Sequence, residues 1–191
     1  MSKANAAAAR ALTSDEMNLL QDYFALLGLS RRYMLDGADL ERRYRDVQAR
    51  VHPDKHTHLG DAERRQAMHW ATQTNAAYQT LKNPLARGRY LLELAGRDPQ
   101  VEHNTAMPVE FLAEQMELRE AVAVARSSGA GEVLEDLSER IKREMNTQFR
   151  TLQQLLDESH DYEAATDLVR RLMFQEKLLQ EIHDALEAIE A

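Results

Sequence analysis

Apolar residues recur along this chain at helical spacing and almost nowhere in strict alternation. Leu40, Tyr44, Val47 and Val51 fall at i, i+4, i+7 and i+11, which lays one apolar stripe along a helix. Asp36 suits the N-cap and Asp39 puts negative charge in the first turn, so this helix is predicted to begin near Gly37. Pro53 lacks an amide donor and disfavours helical geometry at the residue before it, which predicts a stop at His52. Ala67, Ala71, Thr74, Tyr78 and Leu81 then repeat the helical spacing behind Asp61, the predicted cap. A short polar connection between two such helices favours antiparallel neighbours, with the loop at the exposed tip. Before the pair runs the apolar stretch Tyr23, Phe24, Leu26, Leu27 and Leu29 with Gly28 inside it. After it, Asn83 caps a short helix with Pro84 at its first position, burying Leu85, Leu91, Leu92 and Leu94 and ending at Gly96.

Residues 96–108 carry Gly96, Pro99 and Pro108 among polar residues and are predicted to link two helical units. Three more helical patterns follow. The first runs from about Pro108 to Arg126 and ends at Ser127-Ser128-Gly129-Ala130-Gly131. The second, from about Glu132 to Asp157, carries Leu134, Leu137, Ile141, Met145, Phe149, Leu152 and Leu156. The third carries Leu168, Leu172, Gln175, Leu179, Ile182, Leu186 and Ile189 at spacings of four and three. Such spacing suits closely packed long helices, so a three-helix bundle is the economical architecture. The fold class is therefore all-α.

The first of these three helices has more apolar surface than one core can use. Phe111, Leu118, Val122 and Ala125 share one face, while Leu112, Ala113, Met116 and Val124 lie on another together with Glu117 and Glu120. Burying those acids would be costly, which makes the second face a candidate protein-binding surface. Phe174 lies about 200° around the third helix from Leu172 and is a candidate interface anchor.

Composition narrows the options. The 191 residues suit one or two small domains, with 43% apolar content for their cores. The chain has no cysteine, which excludes disulfides and any cysteine-held metal or cluster. No segment reaches the ~20 apolar residues of a membrane span. The first eighteen residues are Ala-rich without a secretory signal pattern and are read as a disordered extension. Residues 1–95 carry a net charge of +3 and the remainder −11, for −8 overall. A nucleic-acid binder would need a dominant basic surface; this uneven division fits two docking surfaces for two proteins.

The most specific mark is His52-Pro53-Asp54, displayed between the two antiparallel helices. Arg42 and Arg45 face away from the apolar stripe of the preceding helix, and Arg43 and Arg50 lie along its flank. With Tyr23-Phe24 and Leu27-Gly28-Leu29 upstream, and Asn75-Ala76-Ala77-Tyr78 and Leu81 downstream, these residues resemble the J domain of DnaJ-type co-chaperones. The block Ala86 to Leu92, with Arg87, Arg89 and Tyr90, is similar to one branch, the HscB-type proteins of iron–sulfur cluster assembly.

The resemblance covers nearly everything from Asp22 to the C-terminus. It implies a J domain over residues 19–95, a linker over 96–108 and a scaffold-binding three-helix domain over 109–191. It further implies that His52, Pro53, Asp54, Arg42, Arg45, Arg50 and Lys55 engage a DnaK-type (HscA-like) chaperone. Leu112, Ala113, Met116, Glu117, Glu120 and Phe174 would bind an IscU-like cluster scaffold, through segments that look like the family's at Phe111 to Glu120 and Val169 to Phe174. Ala113 is smaller than the residue often found there, and Val124 stands where relatives can have an acid. The implied function is a cytoplasmic co-chaperone that delivers the scaffold and stimulates the chaperone's ATPase; the alternative is a general J protein delivering unfolded clients.

Other chemistry finds less support. His52, His56 and His58 have a spacing permissive for metal but no orienting framework, and no metal is assigned. His52 with Asp54 lacks a nucleophile or a phosphate-binding loop, so no catalytic residue, cofactor, nucleic-acid partner or membrane partner is assigned. Trp70 is expected to flank the core, without a binding role.

Overall fold

The computed structural model describes residues 22–51, 60–97 and 107–190. The extension at 1–18, the His52-Pro53-Asp54-Lys55 stretch and most of the expected linker lie outside the described residues. The protein is all-α, and its helices in chain order are α1 (Tyr23–Leu26), α2 (Gly37–Val51), α3 (Asp61–Lys82), α4 (Pro84–Leu94), α5 (Val109–Ser128), α6 (Gly131–Gln153) and α7 (Tyr162–Glu190). Two compact units divide between Ala86 and Arg87, inside α4.

In the first unit α3 packs against both α1 and α2. Asp22 caps α1, accepting the Ala25 N–H at 3.0 Å, and its other oxygen takes the Arg31 guanidinium. Gly28 then turns the chain at φ +65°, where the Leu29 N–H reaches back to the Phe24 carbonyl at 2.7 Å. Asp36 caps α2 through the Ala38 N–H at 2.8 Å, as its position predicts. Leu40, Val47 and Val51 are buried, while Tyr44, the fourth member of the stripe, is half-buried. Its ring stacks on Tyr78 of α3 at 4.2 Å between centroids, and its hydroxyl donates to Asn75 Oδ1 at 2.7 Å. That pair of contacts fixes the register of α2 on α3.

Two details of α3 differ from expectation. The helix begins at Asp61 itself, so the cap is Gly60. Gly60 has no side chain to offer, and the Glu63 carboxylate instead accepts the Gly60 N–H at 3.1 Å, half of a capping box. The fully buried positions are Ala67, Trp70, Thr74, Ala77 and Leu81, while Ala71 and Tyr78 are half-buried. A helix clasped by two neighbours buries a broad face rather than one line, which draws in Trp70 and Ala77. Thr74 is tolerated there because its hydroxyl donates to the Trp70 carbonyl at 2.7 Å. Asn83 caps α4 through Leu85 and Ala86 N–H groups at 2.8 and 3.0 Å. Leu85 and Leu92 are buried as expected, but Leu94 in the last turn is exposed.

In the second unit α5, α6 and α7 each pack against the other two. The chain leaves α5 through Gly129 at φ +69°, with the Ala130 N–H closing on the Ala125 carbonyl at 2.9 Å. A π-helical turn, Gln154–Ser159, extends α6 and ends at His160 in the left-handed region. The core stripe of α6 follows expectation at Leu134, Ile141, Met145, Leu152 and Leu156, with Leu137 and Phe149 half-buried. On α7 the positions of full burial are Ala165, Val169, Leu172, Gln175, Leu178, Ile182 and Ala185. Leu168, Leu179, Leu186 and Ile189 of the heptad reading are half-buried. A single 4–3 stripe describes one seam, and α7 serves two, so its buried arc centres between them.

Candidate functional site: two protein-facing surfaces

The basic surface of α2 is built by the cap at Asp36, which starts the helix in a register that turns Leu40, Val47 and Val51 inward. Arg42 and Arg45 then point to solvent, with side chains 68% and 71% exposed. Arg50, in the last turn, is exposed as well. Arg43 differs: its Nε donates to Asp39 Oδ2 at 2.8 Å, and its Nη1 donates to the Gly28 carbonyl, tying α2 to the turn that follows α1. Asp39 also accepts from Arg42, and Glu41 accepts from Arg45. The hydrogen bond from Arg43, aided by the charges of both neighbouring arginines, holds the Asp39 carboxyl below the ordinary carboxylate value.

The outer surface of α5 comes from the same logic of register. Phe111, Val122 and Ala125 are buried, which turns Ala113, Met116, Glu117, Glu120 and Val124 outward. Met116 is 71% exposed and Val124 61% exposed, and Val109, one residue into the helix, is 76% exposed. Leu112 is half-buried at the edge of this stripe. Val109 belongs to the surface but escaped sequence reading, because it precedes the first residue that fixes the helix phase. Gln115 was also missed; it is buried despite being polar, one turn beyond Phe111 on the core side.

Phe174 stands differently from the free aromatic its position suggested. It is half-buried and meets Phe111 edge-on, with centroids 5.6 Å apart and planes at 84°. The Arg171 guanidinium lies 5.5 Å from the centre of the Phe111 ring. Eight residues along α5 and seven along α7, Arg119 Nε donates to both carboxylate oxygens of Glu181, at 3.0 and 3.2 Å. The two pairs show that α5 and α7 run parallel, as an up-down-up bundle requires. They also lock the phase in which α5 shows its apolar outer stripe.

The described residues contain no group of three or more His, Cys, Asp or Glu placed to hold a metal ion. Among them, no helix is long and apolar enough to cross a membrane.

The family described as HSCB C-terminal oligomerisation domain matches residues 107–183. A co-chaperone protein HscB homolog from Aromatoleum aromaticum is 51% identical over 174 residues, covering 91% of this chain and 98% of that protein. The chain belongs to the HscB family of J-domain co-chaperones of iron–sulfur cluster assembly. An HscB homolog from Azoarcus sp. is 49% identical over the same share of the chain. Among solved structures, chaperone HscB from Vibrio cholerae is 34% identical with a TM-score of 0.76, covering 88% of this chain and 99% of that one. Human co-chaperone protein HscB is 29% identical with a TM-score of 0.79, covering 87% of this chain and 82% of that one. The fold is thus that of the HscB proteins, with α2 and α3 as the antiparallel hairpin of the J-domain part and α5 to α7 as the three-helix bundle.

Proposed function

We propose that this HscB-family protein captures an IscU-like cluster scaffold on the outer face of α5 and delivers it to a DnaK-type, HscA-like chaperone in the cytoplasm. Leu112, Ala113, Met116, Glu117 and Glu120, with Phe174 beside them, form the scaffold-binding surface. His52, Pro53, Asp54 and Lys55, with Arg42, Arg45 and Arg50, engage the chaperone and stimulate its ATPase. ATP belongs to that partner, and this chain performs coupling without chemistry of its own.

One observation carries the reading: Met116, in the middle of a bundle helix, leaves 71% of its surface in water, with Glu117 and Glu120 exposed beside it. A bundle gains nothing from an exposed apolar side chain there, whereas a partner with an apolar patch edged by basic residues gains both contact area and orientation. Holding scaffold and chaperone on one chain raises the local concentration of each at the other, to roughly millimolar for a short connection.

Calorimetric titration of the purified scaffold tests this directly. Leu112→Ser with Met116→Ser is expected to weaken scaffold binding about 10- to 100-fold, with the protein still cooperatively folded at the assay temperature and its basal stimulation of the chaperone unchanged. His52→Gln is expected to do the converse. Unchanged scaffold affinity in the first variant removes α5 from the interface, and loss of both activities in either folded variant ends the division of labour.

A further inference from the structure

The three arginines nearest the middle of α2 are not equivalent, and two carboxylates on the same helix make the difference. Arg43 is spent on the fold: it is 37% exposed, about half as much as Arg42 or Arg45, and it bridges Asp39 and the Gly28 carbonyl. That bridge also fixes Asp39, whose side chain is only 25% exposed. With one oxygen held by Arg43, the other oxygen of Asp39 meets Arg42. Glu41 is freer, at 48% exposure, and pairs with Arg45 one turn on. The two arginines that face solvent therefore each begin with a carboxylate partner on their own helix.

We propose that Asp39 and Glu41 are built-in counter-charges that set the strength and selectivity with which α2 engages its partner. This deepens, and rests on, the reading of α2 as the chaperone-facing helix. To win Arg42 and Arg45, the partner must present carboxylates or carbonyl oxygens placed well enough to displace the resident acids. Towards a diffusely acidic protein, Asp39 and Glu41 offset the charges of Arg42 and Arg45, so that pair of arginines adds little attraction. Exposed pairs three or four residues apart on a helix open readily, so the filter adjusts affinity without blocking binding. Asp39 and Glu41 act here as positioning and specificity residues; neither is assigned a contact with the chaperone.

The test measures binding of the full-length chain to the ATPase unit of a DnaK-type chaperone at low and moderate ionic strength. Glu41→Gln and Asp39→Asn are each expected to tighten binding about twofold at low salt, additively, with the gain shrinking as salt rises. An acidic control protein with no chaperone fold is expected to gain affinity for the double variant by at least the same factor, which reports lost selectivity. Arg42→Ala with Arg45→Ala weakens chaperone binding if the underlying reading holds. If that arginine variant weakens binding while Glu41→Gln and Asp39→Asn leave it unchanged or weaker, the counter-charge inference is overturned and the docking helix stands. If the arginine variant binds as the parent does, the docking helix and the inference fall together. Asp39→Asn also loosens the Arg43 bridge; should that variant melt early, Glu41→Gln, which touches only an exposed pair, decides between these outcomes.

Discussion

Gly28 answers two demands that no other residue meets together. Its φ of +65° lies in the left-handed region, and a Cβ there would sit 3.0 Å from Arg43 Nη1. The Arg43 guanidinium approaches because the Gly28 carbonyl accepts from it, so the turn after α1 and the phase of α2 are set by one contact. Gly28→Ala is expected to cost about 1–2 kcal/mol from the backbone alone, read as a lower urea midpoint with an unchanged slope. The need for glycine here was invisible in the pattern Leu27-Gly28-Leu29, since Arg43 is fifteen residues away. By contrast the caps at Asp36 and Asn83 were legible, because a capping side chain and the N–H groups it serves are two or three residues apart. Asp61 misled for the same local reason in reverse: Glu63 took up the Gly60 N–H, which moved the cap one residue earlier.

Among the helices, α7 shows where a periodic reading loses precision. Its heptad predicted Leu179 and Leu186 inside, whereas Leu178 and Ala185, one residue earlier, are the fully buried pair. Both sets lie within the broad arc that a helix shared by two seams must bury, and small residues such as Ala165 and Ala185 enter where α7 comes close to its neighbours. The same seams bury Gln115 and Gln175, and among the described residues the Oε1 atom of each is buried without a hydrogen-bond partner. An unmet carbonyl oxygen in the core is a standing cost. Gln175→Leu is therefore expected to stabilise the protein by about 1 kcal/mol, raising the thermal midpoint by roughly 2–4 °C. A lower midpoint on a calorimetric scan would show that this glutamine is satisfied. On α5, the outward face was readable in sequence through Glu117 and Glu120, since acids mark a surface more reliably than leucines mark a core. Phe174 was readable only as an anomaly; its partner Phe111 is sixty-three residues away and belongs to another helix.

Taken over its length, the protein separates charge along the same line on which the proposed function separates tasks. The residues from 96 onward carry −11 and those before them +3, so the J-domain helix α2 shows arginines while α5 shows Glu117 and Glu120 around an apolar stripe. Steering by exposed charges is screened over about 8–10 Å at ordinary ionic strength. Scaffold binding is thus expected to weaken several-fold, chiefly through a slower on-rate, as salt is raised from ~50 to ~300 mM. Stopped-flow association at a series of salt concentrations measures this, and a flat profile would leave the apolar stripe to act alone.

The amino-acid order was enough for the all-α class, most helix limits and the family. Those properties follow from spacing, caps and short motifs, each of which acts within a few residues of chain. The folded protein settled which face of each helix is buried, how α5 and α7 share Phe111, Phe174, Arg119 and Glu181, and which of the α2 arginines is anchored to Gly28. Such choices depend on contacts between residues far apart in the chain, where the packing of several helices together selects among arcs that periodicity leaves nearly equivalent.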